Sequence, residues 1–380
     1  MKLKQKIEKF LNLRAERHEP DRSLQFIVVG IILFGLVMLT SASGGYAYTR
    51  YHDGYYFLKH QALALLIGLG LYWLFSRLDY HRLRKFSFLM LVFSVFLLVL
   101  VFIPGLGSGA NIKARSWINI FGFSLQPSEL VKLTFLIYLA GWLEGRKQKQ
   151  LEDFSQGLAP FLTVLTVIAL LMLAQPDFGT FAIIGFTSLI AFYLAGGKLS
   201  HLLGLGLICL VLLTFAVKLK PYQMERFNCY MSPGLNSDTA CYQVNQALIA
   251  IGSGGLWGRG FGESRQKMMY LPEVSGDSIF AIISEELGLF FSAALILAFL
   301  FFFWRGFRIA MRAPDNFGKV MAIGISAWLT VQALINIGGM ANLIPMTGVP
   351  LPFVSYGGSA IMAAMAAIGV LVNISKQTRI

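Results

Sequence analysis

The chain has 380 residues, of which 56% are hydrophobic and 13% charged, with a formal net charge of +13 at pH 7. Soluble domains carry about 25% charged residues, so the composition excludes a soluble globular protein and predicts an all-α polytopic membrane protein. We expect a membrane to be its environment and expect no nucleic-acid partner.

The N-terminus combines basic charge with a long apolar run. The first 23 residues contain seven basic side chains: Lys2, Lys4, Lys6, Lys9, Arg14, Arg17 and Arg22. A secretory signal peptide shares this pattern, but its apolar region is shorter and no further spans follow it. We therefore expect 1–23 to be a cytoplasmic tail followed by an uncleaved first helix.

Apolar runs along the chain are long enough to be spanning helices of about 20 residues. The predicted spans are 24–43, 57–75, 86–103, 127–143, 158–175, 178–195, 201–218, 278–304, 317–343 and 355–374. Ten spans place both termini on one side. The expected organisation is one transmembrane domain, 24–374, followed by a short cytoplasmic tail, 375–380.

The basic residues between the spans predict the orientation, because cytoplasmic loops are enriched in Lys and Arg. With the N-terminus inside, 21 basic residues lie on the inner side and ten on the outer side. Two long extracytoplasmic loops result, 104–126 and 219–276, the second directly before the eighth helix. Most of the outer basic residues lie in or beside these loops, where an anionic partner would explain them, although solvated loop charge or lipid contact is the alternative.

Asp277 stands where the second long loop meets the eighth helix. A carboxylate there lies at the boundary between water and lipid, within reach of a substrate with a polar head and a lipid tail. The alternative is a helix N-cap, a common role for Asp at this position. Arg265 and Lys267, shortly before it, are the basic residues best placed to meet a phosphate.

Burying an ionisable side chain in a membrane costs free energy, so ionisable residues inside the predicted spans indicate a cavity or pathway. Glu129 and Lys132 are three residues apart and can pair on one helical face; the alternative is an ion pair that only holds helices together. Glu285 is roughly 12 Å into its span, and either it or Glu286 is expected to face the same interior as Glu129 or Lys132. Asp177, in a Pro-containing hairpin, can cap the next helix and adds a carboxylate near the outer surface.

The remaining features concern the outer loops and the last spans. Cys229 and Cys241 share the large outer loop, so a disulfide is plausible in an oxidising compartment, but two free thiols are the alternative. The Gly-rich run 251–262 lacks the ending of a phosphate-binding P-loop. Prolines and glycines interrupt the membrane region at 344–360, which is tolerated where backbone lines a cavity. The five scattered histidines suggest no structural zinc.

Four stretches in this order closely resemble the shape, elongation, division and sporulation family of FtsW and RodA: QPSELVKL, AQPDFGT, the segment from LPE to EELG, and GVPLPFVSYGGSA. The resemblance implies a ten-span fold that polymerises lipid II, the undecaprenyl-pyrophosphate-linked disaccharide peptide, on the outer face of the bacterial cytoplasmic membrane. It also implies a class B penicillin-binding protein as partner, within a division or elongation complex. The run 246–273 resembles the division members more than the elongation members.

The resemblance implies that Asp277 is the general base, which takes a proton from a sugar 4-hydroxyl as that oxygen attacks the anomeric carbon of another lipid-linked unit. The leaving pyrophosphate needs positive charge, from a divalent cation (magnesium or manganese) or from basic residues. The candidates are Lys113, Arg115, Arg226, Arg265 and Lys267. No organic cofactor is expected. Two departures from the family pattern are Ser116, where an Arg is usual before the Trp, and Ser278, where a Phe is frequent.

Two other classes of function remain open at this point. A lipid II flippase would use Glu129, Lys132, Glu285 and Arg115 as a polar path between helices. A non-catalytic scaffold for a penicillin-binding protein would not need charged residues inside its spans.

Overall fold

A computed structural model describes residues 18–103, 116–120, 123–204, 206, 221–232 and 241–378, and these residues are mostly helical. The helices are α1 Arg22–Tyr51, α2 Tyr56–Arg77, α3 His81–Lys85, α4 Ser87–Leu100, α5 Pro127–Glu144, α6 Gln148–Leu151, α7 Ala159–Ala174, α8 Phe178–Leu194, α9 Pro221–Met231, α10 Tyr242–Gly254, α11 Ile279–Met311, α12 Asn316–Met340 and α13 Gly358–Ser375. A π-helical turn, Phe154–Leu158, leads into α7.

The helices follow the predicted apolar runs. Among the described residues, six helices are long and apolar enough to span a membrane, namely α1, α2, α7 with its π-helical turn, α11, α12 and α13, and α4 and α8 are shorter apolar helices. The helical prediction and the prediction of a multi-pass membrane protein are thus confirmed. The predicted span 201–218 lies largely outside the described residues, as do Lys113 and Arg115.

The most buried helices are α12 and α13, which form the centre of the bundle. α13 packs along α2, while α12 packs against α5, α8 and α11. In contrast, α1, α2 and α4 expose many large apolar side chains on their outer faces. This distribution fits a bundle whose surroundings are hydrocarbon, because lipid removes the need for polar residues on the outside.

Both long segments predicted to be outer loops contain regular structure that the sequence did not reveal. In the first, strands β1 (Ile118–Ile120) and β2 (Phe123–Leu125) pair antiparallel, with Ile118 opposite Leu125. In the second, α9 and α10 are joined by a disulfide between Cys229 and Cys241. Of the two alternatives for these cysteines, the structure therefore has the bridge.

α11 is broken at Gly288, whose φ of +76° is outside the helical range and favours glycine. A loop from α10 fills the break: the Arg259 amide donates to the Glu285 carbonyl (2.9 Å), and the Leu289 amide donates to the Gly255 carbonyl (3.0 Å). These bonds satisfy backbone groups that the break would otherwise leave unpaired. The segment 279–287 is consequently a separate half-helix.

Candidate functional site

A cavity of about 1680 Å³ opens at the end of the bundle where α11 begins. Its wall combines the corner between α1 and α2, the β1–β2 hairpin, the start of α8, the loop before α11 and the irregular segment before α13. The prediction that broken backbone in 344–360 lines a cavity is correct, since Pro345, Thr347, Gly348 and Pro350 all lie in the wall. A cavity of this size can hold a large amphiphilic ligand.

Several helices begin at this cavity, among them α5, α8, α11 and α13. In the wall, Gln126 and Asp177 are the N-caps of α5 and α8, Gly358 is the first residue of α13, and Asp277 directly precedes the N-cap of α11. The N-terminal end of a helix carries partial positive charge from its unpaired amides and attracts anions. The cavity therefore offers a favourable electrostatic environment to a phosphate, beyond the charge of its basic side chains.

Asp277 lies in the cavity wall directly before the half-helix. Its carbonyl accepts a hydrogen bond from Asn336 Nδ2 on α12 (2.7 Å), and its carboxylate Oδ1 is 3.5 Å from the donor Gln243 Nε2 on α10. Gln243 also donates to Ser278 Oγ (3.0 Å). The N-cap interpretation is wrong, because Ser278 is the N-cap of α11 and no side chain caps that helix. The carboxylate thus stays available to a ligand.

The electrostatics around Asp277 favour a proton acceptor that works near neutral pH. Burial, together with the nearby Glu273 carboxylate, raises the pKa of Asp277 to about 6, while Arg226 and Gln243 act in the opposite direction. A general base is most effective when its pKa lies near the working pH. Asp277 is therefore still ionised at pH 7, yet basic enough to accept a proton.

Arg226 reaches the cavity from α9. Its Nη1 donates to the Met346 carbonyl (2.9 Å), and a Cβ at Gly348 would lie 3.7 Å from both the Arg226 guanidinium and Asp277 Oδ2. The guanidinium and the carboxylate thus approach the same point of the backbone. The disulfide partner Cys229 follows Arg226 by one helical turn, so the bridge to α10 fixes the helix that carries Arg226 to the helix that carries Gln243.

Two of the other predicted phosphate ligands, Lys267 and Arg265, have different surroundings from Arg226. Lys267 lines the cavity but is buried, and its Nζ donates to Glu286 Oε1 (2.6 Å) and to the Gly262 carbonyl (2.6 Å). Arg265 is exposed and is not part of the described cavity wall. Among the described basic residues of the set, Arg226 is the one whose guanidinium approaches Asp277.

The prediction that Glu285 or Glu286 faces Glu129 or Lys132 is wrong. Glu285 accepts hydrogen bonds from Ser264 Oγ (2.5 Å) and from the Arg265 amide (3.1 Å), and Glu286 pairs with Lys267. The physical reason is the break in α11, which lets the loop between α10 and α11 fold against the half-helix and supply partners there. These two carboxylates hold the loop to the half-helix that begins beside Asp277.

Glu129 and Lys132 form the predicted pair, with Lys132 Nζ 2.6 Å from Glu129 Oε1 and both side chains at most 2% exposed. Lys132 also donates to Gln332 Oε1 on α12 (2.7 Å). Neither residue belongs to the described wall of the large cavity. The expectation of one polar cavity shared by Glu129, Lys132, Asp177 and Glu285 is therefore wrong for the residues that the structure describes.

Asp177 does line the cavity. Its Oδ1 accepts from the Thr180 amide (3.1 Å), which is the predicted helix cap, and its Oδ2 accepts from Ser128 Oγ (2.9 Å) and Gln126 Nε2 (3.3 Å). These bonds join the N-termini of α5 and α8. Asp177 thus shapes the wall, with its oxygens already engaged by protein donors.

Sequence reasoning missed two polar residues at the site, Gln243 and Asn336. A Gln in an outer loop and an Asn inside an apolar span gave no indication that both would contact Asp277 or Ser278. Of the two, only the Asn could have been singled out from the sequence, because a polar amide inside a span needs hydrogen-bond partners. In the structure, Asn336 Nδ2 donates to the carbonyls of Asp277 and Val349.

Comparison with known proteins agrees with this architecture. The chain is 40% identical to stage V sporulation protein E of Bacillus subtilis. The alignment spans 367 residues and covers 97% of this chain and 100% of that protein. It is 37% identical to a probable peptidoglycan glycosyltransferase FtsW of Geobacter sulfurreducens, over 94% of this chain and 96% of that protein.

Solved structures agree as well. A chain from a peptidoglycan synthase complex that coordinates polymerization and crosslinking is similar, with a TM-score of 0.77 and 28% identity over 94% of this chain and 98% of that chain. The rod shape determining protein RodA of Thermus thermophilus gives a TM-score of 0.69 and 27% identity, over 94% of this chain and 97% of that chain. The sequence pattern of the FtsW/RodA/SpoVE cell cycle protein family matches residues 22–380, and the chain belongs to that family.

Proposed function

We propose that this chain is a peptidoglycan glycosyltransferase that polymerises lipid II into glycan strands, with Asp277 as general base. The observation that carries the proposal is the ionisable carboxylate of Asp277, which does not cap a helix and lies in a large cavity where several helices begin. The names of the relatives, several of them probable peptidoglycan glycosyltransferases, support the reaction class.

The proposed chemistry needs one proton acceptor and one anion-stabilising region. Asp277 takes the proton of a sugar 4-hydroxyl while that oxygen bonds to the anomeric carbon of a second lipid-linked unit, and the bond from that carbon to the pyrophosphate breaks. Arg226 and the helix N-termini stabilise the departing pyrophosphate. Asn336 and Gln243 position the Asp277 backbone and carboxylate for the transfer.

A magnesium or manganese ion is also part of the proposal, because the departing group is a pyrophosphate. The described residues contain no cluster of three or more His, Cys, Asp or Glu side chains that could hold a metal. Mg²⁺ is commonly bound by one or two carboxylates together with substrate phosphates.

We further propose that the chain crosses the bacterial cytoplasmic membrane ten times. Both termini then lie in the cytoplasm, and the cavity opens at the outer face of the membrane. Lys and Arg are concentrated in the segments assigned to the inside, and the described helices match nine of the ten predicted runs. We propose a class B penicillin-binding protein as partner, supported by the similar chain found in a polymerization and crosslinking complex. A role in division is supported by the FtsW relatives.

The experiment that tests the function uses the purified chain in proteoliposomes, with fluorescently labelled lipid II and the candidate partner. Glycan strands detected by gel electrophoresis would support the glycosyltransferase. Movement of the labelled headgroup across the bilayer without polymer would instead indicate a flippase. Neither activity, in preparations that still bind the partner, would indicate a scaffold.

A further inference from the structure

One wall of the cavity is aromatic and has no role in the chemistry above. It comprises Tyr46, Tyr51, Tyr56, Phe57 and Tyr356, which we call the aromatic wall, and all five residues line the cavity. Four of them lie at the corner where α1 ends and α2 begins, and Tyr356 lies in the irregular segment before α13. The wall therefore joins two parts of the bundle that are distant in sequence.

The rings contact one another in a continuous array. The Tyr51 and Tyr56 rings stack with centroids 3.8 Å apart and nearly parallel planes, and the Phe57 ring meets Tyr356 edge to face at 4.9 Å. Tyr46 joins the array through Phe57 at 6.0 Å. Tyr51 is still 39% exposed, so aromatic surface of the array remains accessible to a ligand.

Polar groups accompany the rings. Arg50 Nη1 donates to the Tyr46 hydroxyl (2.7 Å), and the His60 ring lies 4.2 Å from the Tyr56 ring. Arg50 and His60 also line the cavity. Aromatic faces with hydroxyl, guanidinium and imidazole groups at their edges suit a ligand that has both C–H faces and hydroxyls.

The face of α2 that lines the cavity changes character along the helix. Tyr56 and His60 come first, and Leu63 and Ile67 follow on the same face at intervals of three and four residues. Aromatic and polar groups thus lie at the end near the loop, and aliphatic groups lie at membrane depth. This order matches an amphiphile whose polar head sits at the aromatic wall and whose hydrocarbon tail lies deeper.

The aromatic wall is also connected to the reacting carboxylate. The Tyr356 amide donates to the Ser275 carbonyl (2.7 Å), and Ser275 precedes Asp277 by two residues. The Phe57–Tyr356 contact therefore places the wall directly beside the loop that carries Asp277. A ligand on the wall has its next unit within the same cavity as that carboxylate.

We propose that the aromatic wall is a saccharide-binding platform that holds pyranose units of the glycan next to Asp277; this rests on the proposed glycosyltransferase function. A pyranose has one face of C–H groups with partial positive charge, which packs on the electron-rich face of an aromatic ring. Its hydroxyls can bond to the tyrosine hydroxyls, Arg50 and His60.

A belt of aromatic residues at the membrane surface is the competing interpretation of tyrosines in such a position. Tyr48 and Tyr55 fit a belt, because they are 66% and 59% exposed and do not belong to the cavity wall. Tyr51 and Tyr56 instead stack on each other and line the cavity. The same corner of the chain thus supplies tyrosines of both kinds, and these four make a matched comparison.

The test measures binding of a lipid-free N-acetylglucosamine tetramer to the full-length chain in nanodiscs, by saturation-transfer NMR and by calorimetry. We expect Tyr51→Ala and Tyr56→Ala each to weaken binding by about tenfold, and Tyr48→Ala and Tyr55→Ala to leave it unchanged. Tyr51→Phe, which keeps the ring, should bind nearly as wild type. Melting temperatures establish that each variant is folded.

The outcome does not depend on catalysis, because the probe has no pyrophosphate to lose. Polymerisation by the wild type is measured separately, and tetramer binding by a wild-type chain that makes no polymer would support the platform while contradicting the glycosyltransferase proposal. The platform is refuted if the wild type does not bind the tetramer at millimolar concentrations. It is also refuted if the Tyr48 and Tyr55 variants lose as much affinity as the Tyr51 and Tyr56 variants.

Discussion

Replacing Lys132 by Met removes the cation from the buried pair with Glu129. The carboxylate of Glu129, a residue only 1% exposed, would then lack its partner at 2.6 Å, although Trp328 would still donate to Gln332 Oε1 (2.9 Å). Breaking a buried ion pair from one side costs about 3–5 kcal/mol. We expect the free energy of unfolding to fall by about that amount.

The assay is denaturant unfolding of the purified chain in detergent, with polymerisation measured on the same preparations. The double variant Glu129→Gln with Lys132→Met should recover most of the loss, because no uncompensated charge remains. Lys59→Met is the control, since it removes the cation of an exposed pair with a similar distance, 2.7 Å, and should hardly change stability. If Lys132→Met is as stable as wild type but makes no polymer, the pair acts in function and the structural reasoning is refuted.

Three further predictions concern other parts of the chain. The polymerisation rate should fall as pH drops through about 6, the raised pKa of Asp277. Glu273→Gln removes a carboxylate that raises this pKa, so it should shift the fall in rate to lower pH. A rate that does not change between pH 5 and pH 7 would contradict this prediction. Reductant should lower the activity of the wild type, because the disulfide ties α9 to α10, but should not affect a double serine variant of Cys229 and Cys241. The pKa of His81 is raised to about 9, mainly by its hydrogen bonds to the Asp315 and Asp79 carboxylates. Its contribution to stability should therefore be complete below the ordinary pKa of 6.5 and should be lost as pH rises through 9. The melting temperature of His81→Gln should depend less on pH over that range than that of the wild type.

The parts of the fold that depend on local sequence could be predicted. Apolar runs located the spans because every backbone group in a membrane must be paired within a helix. The spacing of Glu129 and Lys132 sufficed for their pairing, because residues three apart share a helical face. The irregular backbone of 344–360 was recognisable from its prolines and glycines.

The parts that depend on distant contacts could not be predicted. Gly288 breaks α11 only because the loop at 254–260 supplies hydrogen bonds across the break, and a Cβ at Gly288 would collide with the backbone of Leu256 and Gly258. The same loop contact pairs Lys267 with Glu286, a partner that the sequence did not indicate. A linear pattern holds no information about which carboxylate a lysine in a long loop will reach.

The most direct test of the account compares Asp277→Asn with the wild type in glycan polymerisation from labelled lipid II, together with its melting temperature. Asn has nearly the same shape but cannot accept the proton, so the account predicts a rate lower by about 10²- to 10⁴-fold with unchanged stability. An Asp277→Asn chain that polymerises at nearly the wild-type rate would contradict the assignment of Asp277 as the general base.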